Sequence, residues 1–499
     1  MARYYIGIDI GTTSTKGALF DEYGCVIKKI SKEYGIISLQ NGFMEQNPDE
    51  IFDAVVYVLK ELILNKENDI EFVSFSSMMH SIMAVDNHGY PLTNCIIWAD
   101  NRSSSYVKSY KINGLGLKYY TKTGTPIHAM SPLYKLMWLR DNEKDVFDRA
   151  YKFISIKEYV LYKLFNEYVV DYSIASATGL FNIFDLKWDE EILSDIGIKI
   201  DKFSDTVETT FSLKKLKDEY KKFFNLNKDV HFVVGASDGC LANLGSGAID
   251  NKTAAITIGT SGAVRVAFDR PYLDNDARIF CYYLYKNKYI IGGAINNGGI
   301  AYKWFKDTFA GEEQHRAKDL NIDVYELLNE YVKNTPIGSN GVMFLPFLSG
   351  ERSPYWNSNL KGTFLGIKTI NNKKDFTRAI IEGICYSIRD VYEIIEEFGE
   401  INNVKANGGF VKSNIWIQIL SDIIGTKIEI TEDFDTPVIG AYILGLLSNK
   451  EISSIEDGIK FVKTTNKYNP NIQNKKIYDY LFSIYKEAIN GLMPILEKL

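Results

Sequence analysis

The stretch Ile8-Asp9-Ile10-Gly11-Thr12-Thr13-Ser14 is echoed half a chain later by Ile256-Thr257-Ile258-Gly259-Thr260-Ser261-Gly262. In each copy a short apolar strand runs into a Gly-Thr turn and continues as a second apolar run. A strand–turn–strand with glycine and threonine at the bend presents backbone N–H groups and hydroxyls to an anion, most often a phosphate. Two such hairpins, one in each half, predict two related domains that hold one phosphorylated ligand between them.

The size and composition indicate a multidomain globular protein. A chain of 499 residues is too long for one hydrophobic core, and no run approaches the roughly 18 apolar residues of a membrane span. The N-terminus lacks the pattern of a secretory signal, and the five cysteines form no CxxC pair, so we expect reduced thiols and a cytoplasmic protein. A net charge of −6 without a Lys/Arg cluster argues against nucleic acid as a partner.

The order of apolar segments predicts an α/β fold. In the first half, strands at 4–10 and 16–20 precede a helix at about 48–64 and a strand at 72–76. In the second half, strands at 254–258 and 263–268 precede a helix at 375–398. Strands with helices after them on an apolar sheet are typical of α/β domains, and we expect the boundary around residues 245–251.

Asp9 is the candidate metal ligand. It lies beside the first Gly-Thr turn, where Mg²⁺ would bridge a carboxylate and the phosphates of a nucleotide. An isolated Asp-x-Gly-Thr is more often an aspartate that only caps a tight turn. The second turn at Gly259 and Thr260 favours the phosphate interpretation and makes ATP the expected ligand.

Asp238 is the candidate base. It follows an apolar strand in a glycine-flanked turn and leads into a helix of small residues. This position suits a group that accepts a hydroxyl proton during phosphoryl transfer. It suits a helix N-cap equally well, and the two roles are compatible.

Gly408 and Gly409 follow a short predicted strand and precede Ser413 and an amphipathic helix. Such a pair would let the backbone lie flat against an adenine ring, although a Gly-Gly pair before a helix is more often only a turn. Together with the two Gly-Thr turns, the Gly-Gly pair would be a third element of the same nucleotide site.

Two polar segments follow predicted strands in the first half: Met78-Met79-His80-Ser81 and Trp98-Ala99-Asp100-Asn101-Arg102. The ring of Trp98 would supply an apolar wall and the other groups would satisfy the hydroxyls of a polyhydroxylated ligand. A lone histidine is usually structural and Trp98 alone would be core, but two clusters together favour a pocket. No spacing indicates a zinc site, and no Ser-His-Asp order or nucleophile elbow is present.

These segments resemble the FGGY carbohydrate kinase family, within the sugar kinase/Hsp70/actin superfamily. One signature of that family is similar to MSPLYKLMWLRDN at 130–142, and a second is similar to the segment from GTFLGI at 362–367 to AIIE at 379–382. The stretch FLSGERSPYW at 347–356 is also typical of the family. The resemblance covers essentially the whole chain.

The resemblance implies two ribonuclease H-like α/β domains flanking a central catalytic cleft. Residues 1–248 would hold the sugar site, the Mg²⁺ and phosphate loop and the catalytic aspartate, and residues 249–499 the nucleotide site. ATP and Mg²⁺ are the implied cofactors, with Asp9 at the metal and Asp238 as the catalytic base at the substrate. The implied nucleotide-binding residues are Thr12, Thr13, Lys16, Gly259, Thr260, Gly408, Gly409 and Ser413.

Within the family, the pocket segments are most similar to the gluconokinase branch, and Ser81 and Ala99 depart from the xylulokinase pattern. This likeness predicts phosphorylation of D-gluconate to 6-phospho-D-gluconate. Arg102 would meet the substrate carboxylate, and the remaining substrate-binding residues would be His80, Trp98, Asp100 and His128. Two alternatives stay open: a kinase for xylulose or another pentulose or polyol, and a non-kinase ATPase of the same superfold. A homodimer is common in the family, but the sequence fixes no interface.

Overall fold

The computed structural model describes residues 3–39, 42–431 and 435–499. The strands are β1 Tyr4–Ile10, β2 Ser14–Phe20, β3 Val26–Glu33, β4 Ile37–Ser38, β5 Met44–Gln46, β6 Ile70–Ser77, β7 Met83–Val85, β8 Cys95–Ile96, β9 Lys152–Ile154, β10 Val169–Asp171, β11 Phe181–Asn182, β12 Lys187–Trp188, β13 Asp205–Val207, β14 Ser212–Leu213, β15 His231–Ser237, β16 Thr253–Ile258, β17 Gly262–Phe268, β18 Phe280–Tyr285, β19 Lys288–Ile295, β20 Met343–Leu345, β21 Thr363–Leu365, β22 Asn403–Asn407, β23 Ile428–Thr431 and β24 Thr464–Tyr468. The α-helices are α1 Pro48–Ile63, α2 Ser104–Ile112, α3 Leu115–Thr123, α4 Pro132–Asn142, α5 Lys144–Arg149, α6 Ile156–Phe165, α7 Tyr172–Ser176, α8 Glu190–Asp195, α9 Asp218–Phe223, α10 Asp238–Ser246, α11 Gly299–Phe309, α12 Gly311–Leu320, α13 Val324–Lys333, α14 Lys373–Glu396, α15 Asn414–Ile424, α16 Thr436–Ser448 and α17 Ile472–Leu496.

The first sheet is built around the first Gly-Thr hairpin. Its strands lie in the order β14-β15-β6-β1-β2-β3. β1 pairs antiparallel with β2 and parallel with β6, and β6 pairs parallel with β15. β14 closes the other side by antiparallel pairing with β15. The predicted hairpin and the predicted strand at 72–76 are therefore confirmed.

The second Gly-Thr hairpin occupies the same place in a second sheet. β16 pairs antiparallel with β17 and parallel with β22, β22 pairs parallel with β23, and β23 pairs antiparallel with β24. The order β24-β23-β22-β16-β17 thus repeats β14-β15-β6-β1-β2 strand for strand. The repeated sequence corresponds to a repeated sheet topology, as expected for two related domains.

Contacts divide the chain into two compact units that are not continuous in sequence. The first consists of Met1–Ile249, Ala267–Ile291 and Phe434–Val462, and the second of Asp250–Val266, Gly292–Asp433 and Lys463–Leu499. The boundary expected from the sequence, between residues 248 and 249, lies next to the position where the chain first passes from one unit to the other, between Ile249 and Asp250. Sequence continuity cannot show that a later segment such as α16 packs with the first unit. No helix in the described part of the chain is long and apolar enough to cross a membrane.

α1 shows why the sequence folds as predicted. The side chain of Asn47 caps the helix by accepting a hydrogen bond from the Asp49 N–H, and Pro48 occupies the first turn, where its missing N–H is not needed. Residues at helical spacing, including Ile51 and Val55, are fully buried. This face packs against β2 and β3, which fixes the outer layer of the first sheet.

α10 and α16 pack together through small residues within the first unit. A Cβ added at Gly245 of α10 would lie 1.9 Å from the Thr436 carbonyl oxygen, and one at Gly440 of α16 would lie 2.2 Å from the Leu241 carbonyl oxygen. Only glycine allows the two backbones to approach this closely. Because α10 begins at Asp238, this contact also fixes the position of the candidate base.

We expect Gly245→Ala to lower the free energy of unfolding by about 3 kcal/mol, because the methyl group overpacks two backbones that cannot both relax. Urea denaturation followed by circular dichroism measures the change. Gly491→Ala is the matched control, since it also lies in a helix but a Cβ there meets nothing within 4 Å. This control is expected to gain up to about 1 kcal/mol from helix propensity. Equal stability of Gly245→Ala and the wild type would contradict the packing argument.

Candidate active site

Three side chains fix the first Gly-Thr turn. The hydroxyl of Tyr34 donates to the Gly11 carbonyl at 2.6 Å, and Gln46 Nε2 donates to the Thr12 carbonyl at 2.7 Å. Trp98 Nε1 donates to Thr12 Oγ1 at 3.0 Å. This last bond joins one of the two predicted polar segments to the candidate phosphate loop. Thr13 at the tip of the turn is exposed.

Asp9 lies at the end of β1, where three charged groups and a hydroxyl surround it. Its side chain is 6% exposed, and Oδ1 accepts a hydrogen bond from Ser76 Oγ at 2.6 Å. Burial, reinforced by the nearby carboxylates of Asp435 and Asp238, raises the pKa of Asp9 to about 8, while Ser76 and Lys16 act in the opposite direction. Lys16 is exposed and pairs with Asp435 at 2.5 Å. Three carboxyl groups and one lysine therefore meet at this end of β1, which leaves an excess of acidic groups there.

This excess of acidic groups suits a divalent cation. Mg²⁺ sites commonly use one or two protein carboxylates and complete their octahedron with water and phosphate oxygens. Within residues 3–39, 42–431 and 435–499, no three His, Cys, Asp or Glu side chains form a complete metal site. Asp9 therefore fits a cation that brings phosphate ligands with it, and it does not resemble an all-protein cage.

Asp238 is the first residue of α10 and is half-buried. The N-cap position expected as its alternative role is taken by Ser237. Asp238 Oδ1 accepts a hydrogen bond from the N–H of Gly239 at 2.7 Å. The carboxylate of Asp238 therefore lies at the positive end of the α10 dipole.

A buried lysine supports the strand that leads to Asp238. Lys157 Nζ donates to the carbonyls of Val234 and Ala236, each at 3.1 Å, and to Asp171 Oδ2 at 2.6 Å. Asp238 is also close enough to raise the pKa of Lys157 against the larger lowering effect of burial. The candidate base thus directly follows a strand in which the carbonyls of Val234 and Ala236 are held by buried Lys157.

α7 connects His80 to the start of α10. His80 is buried, with φ of 66°, and its Nδ1 lies 2.7 Å from the Ala177 carbonyl oxygen that follows α7. Ser173, four residues earlier, shares hydrogen bonds with the hydroxyl and N–H of Ser237. Residues 173–177 therefore contact both His80 and Ser237, the residue before Asp238. Tyr282, which sequence analysis missed, contacts His80 Nε2 through its hydroxyl at 3.3 Å.

The first family-like signature forms α4, and its lysine joins the two polar segments. Lys135 Nζ donates to the carbonyls of His80 and Ile97 at 2.7 and 2.8 Å. Its complete burial lowers its pKa to about 7. Lys135 thus bonds to the backbone of His80 and of Ile97, the residue before Trp98, and supports both segments.

The geometry does not support the predicted contact of Arg102 with a substrate carboxylate. The Arg102 side chain is 5% exposed and bonds to Asp100 at 2.9 Å and Glu45 at 2.5 Å. Its guanidinium also lies over the rings of Phe43 and Trp138. Asp100 is fully buried and engaged by Arg102 and by the N–H of Met44, so it is not presented to hydroxyls either. The carboxylates of Asp100 and Glu45 neutralise the guanidinium of Arg102, and these two ion pairs stabilise the fold around Trp98.

His128 and Trp98 are both half-buried in the first unit. His128 Nδ1 accepts a hydrogen bond from the N–H of Met130 at 3.2 Å, which fixes the orientation of the ring.

The second unit contains a cavity of about 640 Å³ beside the second Gly-Thr turn. Its lining includes both residues of that turn, Gly259 and Thr260, and an aromatic wall formed by Tyr302, Tyr325, Phe410 and Trp416. The other lining residues include Gly299, Ile300, Lys303, Asp323, Glu326, Asn329, Gly409, Lys412 and Ser413. A largely apolar cavity that includes a Gly-Thr turn suits a ligand with an apolar ring and a phosphate group.

Gly408 and Gly409 shape the floor of this cavity. Gly408 has φ of 100°, and a Cβ there would lie 2.5 Å from the Ile258 carbonyl oxygen. Gly409 has open space where a Cβ would be, so a ring can approach its backbone. Ser413 caps α15 by accepting the Trp416 N–H at 3.3 Å, and it also lines the cavity.

The N-terminus of α11 completes the phosphate end, and sequence analysis missed it. The N–H of Gly299 donates to the Gly259 carbonyl at 2.7 Å, and that of Ile300 to Thr260 at 3.1 Å. A Cβ on Gly299 would lie 2.7 Å from the Gly259 oxygen. The Asn-Asn-Gly-Gly run before the helix was the available signal, since anion sites often combine glycines with a helix start.

Family models match almost the whole chain. Residues 4–245 match the N-terminal domain of the FGGY family of carbohydrate kinases, and residues 254–448 match its C-terminal domain. The chain belongs to the FGGY family of carbohydrate kinases. It is therefore an α/β carbohydrate kinase with the two-domain fold of that family, and ATP is its phosphoryl donor.

Relatives narrow the comparison within the family. A gluconokinase of Bacillus subtilis (strain 168) is 41% identical over 97% of this chain and 95% of its own length. The crystal structure of a gluconate kinase from Lactobacillus acidophilus gives a TM-score of 0.94 at 34% identity, covering 99% of this chain and 98% of that one. A ligand-bound xylulose kinase from the same organism also gives 0.94 at 34%, covering 98% of each chain.

Proposed function

We propose that the protein transfers the γ-phosphoryl group of ATP to the 6-hydroxyl of D-gluconate and forms 6-phospho-D-gluconate. The observation that carries this proposal is the 41% identity to a gluconokinase over nearly the full length of both chains. The departures at Ser81 and Ala99 from the xylulokinase pattern point the same way.

In the proposed reaction, the cavity of the second unit holds ATP. The adenine ring lies along Gly408 and Gly409 beside the aromatic wall, and the phosphates contact the turn at Gly259 and Thr260. The start of α11 adds its positive dipole end at the same place.

In the first unit, Asp238 accepts the proton of the sugar hydroxyl, while Thr12 and Thr13 face the transferred phosphate. Asp9 would hold Mg²⁺, which supplies neutralisation of the phosphate charge. The transition state of phosphoryl transfer is loose, so positioning and charge neutralisation account for most of the rate. His80, Trp98 and His128 are the proposed sugar contacts, and Asp100 and Arg102 stabilise the segment that carries Trp98.

The proposal also covers the cellular location, the oligomeric state and the domain limits of the enzyme. All five cysteines are free thiols and four are buried, which supports a reducing cytoplasm. The homodimer and the domain limits 1–248 and 249–499 stay predictions. The non-kinase ATPase is set aside, because the chain belongs to a kinase family.

We expect ADP release in a coupled assay with Mg-ATP to be stimulated by gluconate with a kcat/KM about 100-fold or more above that of any pentulose, because unpaired polar groups penalise the wrong sugar. The panel compares gluconate, xylulose, ribulose, glycerol and no sugar. Stimulation by xylulose instead would favour the second candidate function, a xylulose kinase. The equal TM-score to the structure of a xylulose kinase supports this alternative. That result would keep Asp238 as base and move the error to the pocket around Ala99 and His128.

A further inference from the structure

A buried glutamate organises the chain just before α11. Glu351 is 1% exposed, and its carboxylate accepts hydrogen bonds from the N–H of Asn296 at 2.5 Å and of Arg352 at 2.8 Å. Its other oxygen lies 3.3 Å from Asn297 Nδ2. A carboxylate that accepts three donors in a buried place is a strong, geometrically specific anchor.

The asparagines extend this anchor to the neighbouring backbone. Asn297, fully buried, donates from Nδ2 to the Gly350 carbonyl at 2.7 Å, and its Oδ1 accepts the Ser349 N–H at 3.1 Å. Asn296 Nδ2 donates to the Ser349 carbonyl at 3.0 Å. Residues 349–352 therefore hold residues 296 and 297 in one position.

The next two residues begin α11 and touch the second Gly-Thr turn. Gly298 has no room for a side chain, since a Cβ there would lie 2.4 Å from the Ser261 oxygen. The bonds from Gly299 to Gly259 and from Ile300 to Thr260 then tie the helix start to the turn. A displacement of Asn296 and Asn297 would therefore also move Gly298 and Gly299, and with them the turn at Gly259 and Thr260.

We infer that Glu351 is the positioning residue of the phosphate subsite in the second unit. It touches no ligand and acts through Asn296 and Asn297 on the start of α11 and on Gly259 and Thr260. Its loss therefore weakens binding of the nucleotide phosphates more than binding of the nucleoside, because Tyr325, Phe410 and Trp416, which also line the cavity, lie outside α11. This inference rests on the proposed nucleotide site and extends it to a residue that no ligand contact would identify.

The test compares a non-hydrolysable ATP analogue with adenosine by isothermal titration calorimetry on the full chain. In Glu351→Gln, the amide NH₂ would oppose an N–H donor, so we expect the Kd of the analogue to rise about tenfold, as for loss of one buried hydrogen bond. The Kd of adenosine is expected to stay within about twofold. The KM for ATP should rise likewise, with the KM for the sugar unchanged.

Glu382→Gln is the matched control. Glu382 is equally buried in the same unit, but it bonds to Arg378, Tyr478 and Ser339 and not to the start of α11. This variant is expected to lower the melting temperature without changing the ratio of the two dissociation constants. If Glu351→Gln does not fold, Asn296→Ala removes one bond from a half-exposed side chain of the same loop, with the phosphate-specific loss expected at about threefold.

The outcomes separate the two claims. An equal loss for the analogue and adenosine, or no loss for either, would overturn the role of Glu351. A wild-type protein that binds neither compound would overturn the nucleotide site itself, and the inference with it. A loss confined to the analogue, in Glu351→Gln but not in Glu382→Gln, supports the inference.

Discussion

Asp238→Asn is expected to lower the turnover of the sugar-stimulated reaction by about 1,000-fold, the range found for loss of a general base. Asparagine keeps the shape of the side chain at the first position of α10 but cannot take the hydroxyl proton. The cavity for the nucleotide lies in the other unit, so binding of ADP should be unchanged. Coupled assays measure turnover, and calorimetry measures ADP binding on the same preparation.

Asp218→Asn is the control for this variant. Asp218 also occupies the first position of a helix, α9, but it is exposed. It should retain wild-type turnover. A folded Asp238→Asn protein with near-normal turnover would remove Asp238 from the role of base.

Asp9→Asn is expected to lower turnover by about 100-fold and to abolish the stabilisation of the protein by Mg²⁺, because the neutral amide is a poor ligand for a hard cation. It should also change the dependence of stability on pH. Burial and the adjacent carboxylates raise the pKa of Asp9 to about 8 in the folded protein, from an ordinary value of 3.8.

The sign of the pH effect follows from that shift. Between pH 4 and pH 8 the unfolded chain has lost the Asp9 proton and the folded protein still holds it, so the stability linked to this group falls as the pH rises. Asparagine has no such proton. Without Mg²⁺, the melting temperature of Asp9→Asn should therefore gain on that of the wild type by about 5 °C or more between pH 5 and pH 8.5. Parallel curves for the two proteins would contradict the raised pKa.

Much of the fold could be predicted because its signals are local. The helix expected at 48–64 is observed at Pro48–Ile63, and the one expected at 375–398 is observed at Lys373–Glu396. Both carry regular apolar spacing and an N-terminal cap, which act within a few residues. The packing of α16 with the first unit depends on contacts between segments about 190 to more than 400 positions apart, and no periodicity reports such contacts.

The candidate site divides in the same way. Asp9, Gly259 and Gly408 could be singled out from the sequence because each lies in a short motif of characteristic residue types, and their roles stay predictions. Arg102 was assigned to a ligand because a cation in a polar cluster suits a carboxylate. Of its two carboxylate partners, Asp100 is two positions away, but Glu45 lies 57 positions earlier and only the fold brings it to Arg102. Glu351 and Asp435 were missed for the same reason.

The return of α16 to the first unit has a consequence for biosynthesis. Tyr442 of this helix stacks on Phe20 with ring centroids 4.2 Å apart, and Gly445 packs on the ring of Phe72. About 190 residues separate residue 249 from α16, and a ribosome adding about 5–20 residues per second needs about 10 to 40 seconds to make them. Throughout that time the nascent first sheet lacks part of its cover, and its aromatic face is open to chaperones. Truncated chains that end before residue 436 keep that exposure permanently, which makes them substrates for quality-control proteases.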